Sequence, residues 1–70
     1  EIFNVTEEVF SSKTLTLITI PISGSEIITM NGLMLYRSID WDYTVNANEL
    51  IFTDELELTV GDTIRARYQT

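Results

Sequence analysis

The chain has 70 residues, no cysteine and no histidine, and eleven Asp plus Glu against four Lys plus Arg, a formal net charge of −7. That composition excludes disulfides, thiolate or imidazole metal sites, and nucleophilic catalysis of the Ser/His/Asp or Cys/His kind. The acidic balance repels phosphate backbones and anionic lipid headgroups, so neither nucleic acid nor membrane is an expected partner.

Apolar residues recur with period two rather than 3.6, and turn residues return about every ten positions, the rhythm of an all-β sandwich or barrel. The first strand is expected over Ile2 to Val9, weakened by Glu7-Glu8, and Ser11-Ser12-Lys13 reads as a loop. The second strand is expected over Thr14 to Ile20. Leu15 and Leu17 share one parity there, while Ile18 and Ile20 take the other. A bulge near Leu17-Ile18 would restore one buried face; the alternative is a strand covered on both sides. Pro21 has no N–H to donate, so it ends the strand or sits at an edge. Ser23-Gly24-Ser25 reads as a turn.

Asn31-Gly32 is the strongest hairpin signal in the chain, because a type I′ turn needs positive φ at both central residues. The two-residue loop predicts a register in which Met30 opposes Leu33 and Ile28 opposes Leu35. Those four share one face; Ile27, Thr29, Met34 and Tyr36 fall on the other. Ser38 to Asp42 reads as a loop, Tyr43 to Asn46 as a strand, Asn46 to Glu49 as a turn and Leu50 to Thr53 as the next strand. Tyr43 and Val45 should pair with Phe52 and Leu50 on the core side. Asp54 to Val60 is an acidic connection whose Leu56, Leu58 and Val60 can tuck under the fold. Gly61-Asp62 turns the chain into Thr63 to Tyr68, where Ile64, Ala66 and Tyr68 alternate with Arg65 and Arg67. The expected fold is a small antiparallel β-sandwich, immunoglobulin-like or jelly-roll-like, of six or seven strands over residues 1–70.

A chain this short buries a small core and usually needs a supplement. With oxygen ligands alone, only calcium or magnesium fits as a metal; packing against other chains is the supplement expected, and no cofactor is. No apolar run reaches the roughly 20 residues of a membrane helix. The chain opens on Glu1-Ile2-Phe3 with neither an initiating Met nor a basic leader, so it is expected to be processed, truncated or excised from something longer.

From Ile28 to Tyr68 the motifs Asn31-Gly32, Asp42-Tyr43-Thr44-Val45, Leu50 to Thr53, Gly61-Asp62 and Tyr68 follow one another in a set order. This order resembles a small β module that recurs in bacteriophage virion proteins, notably tail-fibre, neck and decoration components. The resemblance implies a β-sandwich with a structural role in the virion and no catalytic residues. Two positions depart from the pattern. Ile51 stands where a polar Thr is usual, and Trp41 interrupts a loop that is usually small and polar.

Asp40 and Asp42 flank Trp41 and suit a loop in which each carboxylate bonds its own backbone. Read as a carboxylate pair they would serve a glycosidase, and read as alternating oxygens they would serve calcium, though no Gly or further ligands follow. Asp54, Glu55 and Glu57 read as a solvated acidic loop. Trp41 supports three readings: a ring plugging one end of the sandwich, a protein contact, or a platform for a sugar. Arg65 and Arg67 are expected to pair across strands with acids such as Glu55.

Ile27, Met34, Tyr36 and Ile51 all fall opposite the expected core, where a free antiparallel sheet should be polar. Either the register is displaced by one residue or a neighbour covers this surface. With Trp41, these residues form the candidate protein interface. The function expected is a non-enzymatic phage structural module in the virion. It would form a homo-oligomer or pack on other capsid or tail proteins. The alternative is a host-recognition or carbohydrate-binding module that holds a glycan at the Trp41 loop.

Overall fold

Alternation along the chain is enough to sort most side chains into an inner and an outer set, and the fold follows from stacking two inner sets. A computed structural model describes residues 1–70. The elements are β1 (Ile2–Asn4), α1 (Glu7–Ser12), β2 (Thr14–Thr16), β3 (Ile27–Met30), β4 (Leu33–Met34), β5 (Tyr43–Asn46), β6 (Glu49–Phe52) and β7 (Thr63–Arg67). They form two antiparallel sheets, a first of order β1-β7-β3-β4 and a second of order β2-β6-β5. The molecule is a seven-stranded all-β sandwich of two antiparallel sheets.

Eleven apolar residues form one core cluster between the sheets. Ile28 and Ile64 from the first sheet and Leu50 from the second lie at its centre with no solvent exposure. Each such side chain contributes about 1.5–3 kcal/mol by leaving water. From the acidic connection, Leu58 is buried and Leu56 packs against the core, whereas Val60 stays half exposed.

The Asn31-Gly32 hairpin has the expected register: Met30 opposes Leu33, and Leu35 N–H donates to Ile28 O at 2.8 Å. Asn31 and Gly32 have φ of 53° and 89°, both in the left-handed region. The Asn31 side chain does further work. Its Nδ2 donates to Asp62 Oδ1 (3.0 Å) and its Oδ1 accepts from Thr63 N–H (2.9 Å), which ties this turn to the Gly61-Asp62 turn. A Cβ at Gly32 meets no neighbour within 4 Å, so only the backbone conformation opposes a side chain there. Gly32→Val is therefore expected to destabilise the fold by about 1–2 kcal/mol, read as a lower urea midpoint with an unchanged slope. An unchanged midpoint would contradict the turn.

The second hairpin also has the expected register, with Tyr43 opposite Phe52 and Val45 opposite Leu50. On β7, Ile64 and Ala66 face in and Arg65 and Arg67 face out.

Two expectations at the N-terminal end are corrected. The strand expected over Ile2 to Val9 stops at Asn4, and a helical turn follows. Thr6 caps it, its Oγ1 accepting from Val9 N–H, and Glu7-Glu8 lie in the first turn, where negative charge favours the helix dipole. Lys13, expected in a loop, ends the helix at φ 56° with its N–H on Val9 O. The strand expected over Thr14 to Ile20 stops at Thr16. Leu17 still exchanges bonds with Asn48, but β6 begins at Glu49, so beyond Leu17 the chain has no strand to pair with. No bulge forms and no second cover arrives. Ile18, Ile20 and Ile22 stand exposed, while Pro21 is buried beyond the strand.

Candidate functional site

Because the hairpin register is the expected one, the outward residues are outward in fact, but Leu33, expected on the core face, is exposed too because it sits at the hairpin tip. Ile27, Met34 and Tyr36 are all about half exposed. Ile27 and Met34 project from the outer face of the first sheet, where Met34 lies directly opposite Thr29. Ile51 also projects outward, but from the second sheet, on the opposite side of the sandwich. The expected single apolar face is thus corrected to two. The physical reason is that β6 and β3 belong to different layers, so "opposite the core" means opposite directions for the two strands.

Trp41 does not plug the sandwich; it is 57% exposed. Its ring meets Tyr36 edge to face, centroids 5.5 Å apart at 74°. The loop beneath is firmly tied. Asp42 Oδ2 accepts from Tyr36 N–H at 2.7 Å, Asp40 N–H donates to Ser38 Oγ at 3.1 Å, and Trp41 N–H donates to Ser38 O at 3.1 Å. Thr53 clamps it from the other side, its N–H on Asp42 O and its hydroxyl on Trp41 O. The Asp42 carboxylate therefore ties the loop back to Tyr36, six residues earlier, and not to its own backbone two residues on as the turn reading expects; at Asp40 the backbone N–H, not the carboxylate, makes the bond to Ser38. No group of three or more Asp and Glu carboxylates converges on a point that could hold a cation.

On the second sheet, Ile51 and Ile39 line an open depression of about 310 Å³ together with Thr44, Phe52, Thr53 and Asp54. Asp54 accepts a hydrogen bond from Lys13 Nζ at 2.8 Å, and this bond holds its carboxyl below the usual range. Ile39 carries no periodic signal because it lies in a loop, so its exposure of 77% was not readable from the sequence.

The expected pairing of Arg65 and Arg67 with Glu55 does not occur. The two ion pairs present are Lys13–Asp54 and Arg37–Glu26 (3.0 Å). Arg65 lies opposite Ile2 and Thr29, and Arg67 lies opposite Ile27, so no carboxylate faces either. Glu26, by contrast, has a side chain only 2% exposed, and Arg37 reaches it from across the β4–β5 connection. Nearby, burial pushes the Tyr43 hydroxyl up to about 12, with Glu26 adding to the rise.

The only helix, α1, has six residues, far too few to cross a membrane. Comparison with protein-family models, with curated proteins and with solved structures finds no match. Of the residues that carry the likeness noted above, Asn31, Asp42 and Asp62 serve as hydrogen-bonded ties between turns and loops.

Proposed function

We propose that the chain is a non-enzymatic structural module of a bacteriophage particle. It acts by packing its outer sheet faces against further copies of itself or against neighbouring capsid, neck or tail proteins. One observation carries this reading: thirteen large hydrophobic side chains are exposed, against eleven buried in the core. Scattered exposed apolar residues are ordinary, but a 70-residue chain that leaves more of them outside than inside gains by being covered. The order of the turn and strand motifs supports the phage assignment.

Light scattering on the wild-type chain tests it. The expected result is concentration-dependent association that Met34→Glu and Ile51→Lys each weaken, with the circular dichroism of the folded monomer retained. A monodisperse monomer at millimolar concentration, with no binding to other virion proteins, would overturn the reading.

A second reading has an observation of its own. The exposed Tyr36–Trp41 pair beside the exposed Asp40 offers an aromatic platform and an acceptor for a sugar ring. Binding at that loop would shift Trp41 fluorescence with glycan concentration, and a flat titration across a glycan panel removes it.

A further inference from the structure

We propose that copies of this chain pack head to tail. The Arg65/Arg67 face of the first sheet in one copy seats on the Glu49/Ile51 face of the second sheet in the next. The inference rests on the assembly reading above and names the two surfaces that meet.

The first surface follows from cross-strand register. Ile2, Arg65, Thr29 and Met34 stand in one row across all four strands of the first sheet, and Arg67 and Ile27 form the row beside it. The outward strand positions of this sheet hold no Asp or Glu. Both arginines lack an ion-pair partner, while Lys13 and Arg37, the other two cations of the chain, are each paired. The face therefore carries +2. The remainder holds those two other cations and all eleven acids, 2 − 11 = −9. A molecule so divided has a positive, partly apolar plate on an otherwise acidic body.

The second surface is the outer face of the second sheet, which includes the open depression at Ile51. Its rows are Thr14–Ile51–Thr44 and Thr16–Glu49–Asn46, with Ile51 central. Glu49 has no ion-pair partner within the chain, and Glu55 follows β6 at its far end beside Asp54, whose charge Lys13 already offsets. Face-to-face sheets stack at about 10 Å, close enough for Arg65 and Arg67 to meet carboxylates on the facing sheet.

Charge also decides the symmetry. A two-fold dimer through the first-sheet face would bring two faces of charge +2 together, and like charges brought close oppose binding. Contact between the two unlike faces avoids this. Such a heterologous contact leaves one face free at each end, so it closes into a ring or continues as a filament.

Charge reversal and its rescue test the assignment, with sedimentation velocity as the readout and circular dichroism as the fold check. Arg65→Glu/Arg67→Glu and Glu49→Arg are each expected to weaken association by about tenfold or more. The combined variant, in which the charges face one another again in reverse, should recover most of the loss. On the wild-type chain, raising salt from about 0.1 M to about 1 M shortens the Debye length from about 10 Å to about 3 Å and should weaken association. A wild-type chain that stays monomeric overturns this inference; it overturns the assembly reading as well only if the chain also binds no other virion protein. A wild-type oligomer indifferent to salt, weakened by only one of the reversals, or not restored by the combination, overturns the head-to-tail contact and leaves assembly standing.

Discussion

Leu50→Ala is expected to cost about 2–5 kcal/mol and to lower the melting temperature by at least about 8 °C. Leu50 is fully buried on β6, the central strand of the second sheet, with Leu15 on one side and Val45 on the other. Truncation there removes packing in both directions, and the neighbouring strands are hydrogen-bonded in place, so the void cannot easily collapse. At roughly 0.05–0.15 kcal/mol per residue, a 70-residue chain has only about 4–10 kcal/mol in all. The variant should therefore be largely unfolded in denaturant concentrations that leave the wild type intact. Ile51→Ala, one residue along and 37% exposed, supplies the contrast and should cost under about 1 kcal/mol in the monomer. Equal losses at the two positions would mean that β6 is turned over, and the whole assignment of inner and outer faces would go with it.

Arg37→Met is expected to destabilise by about 2–3 kcal/mol at pH 7. Glu26 has a side chain only 2% exposed, and Arg37 Nη1, at 3.0 Å, is the one cation bound to it. Removing the guanidinium leaves a buried carboxylate without a counter-charge, which costs far more than the pair itself contributes. The figure sits below that for a wholly buried pair because Arg37 is itself 41% exposed, so water can enter where it leaves. The consequence should be concentrated at the Tyr43 edge of the second sheet, where Arg37 bridges to Tyr43 and Ser38 N–H donates to Tyr43 O. Adding Glu26→Gln to Arg37→Met should recover most of the stability in urea unfolding. If the double variant is as unstable as the single one, Arg37 acts through packing rather than charge.

These two sites differ in how far the sequence announced them. Leu50 was legible because β5 and β6 alternate cleanly about a short turn, and period two has only two solutions, one of which puts Glu49 in the core. The same logic set the Asn31-Gly32 hairpin, whose turn chemistry admits little else. Glu26 was not legible. A carboxylate after Ser23-Gly24-Ser25 reads as a solvated turn residue, and its burial depends on Arg37 arriving from a connection that leaves one sheet for the other.

The N-terminal error has a local cause. Thr6-Glu7-Glu8 is a helix start, with a capping hydroxyl and acids in the first turn, yet six residues of helix are too few to show a 3.6 period. At Ile18 the cause is non-local: the strand ends because its partner ends.

For the candidate surface, parity along each strand sufficed to mark Ile27, Met34, Tyr36 and Ile51 as outward, since neighbouring side chains must alternate across a pleat. The local sequence thus determined the two hairpin turns, the registers of both hairpins and the outward parity of Ile27, Met34, Tyr36 and Ile51. Only the tertiary structure decided that Ile51 lies on the far side of the sandwich from Ile27 and Met34. It alone decided that Trp41 stands against Tyr36 in solvent, and that Arg65 and Arg67 share an acid-free plate. The reason is that alternation is a property of one strand, whereas the company a side chain keeps depends on which strands are layered beside it. That layering is set by burial summed over the whole chain.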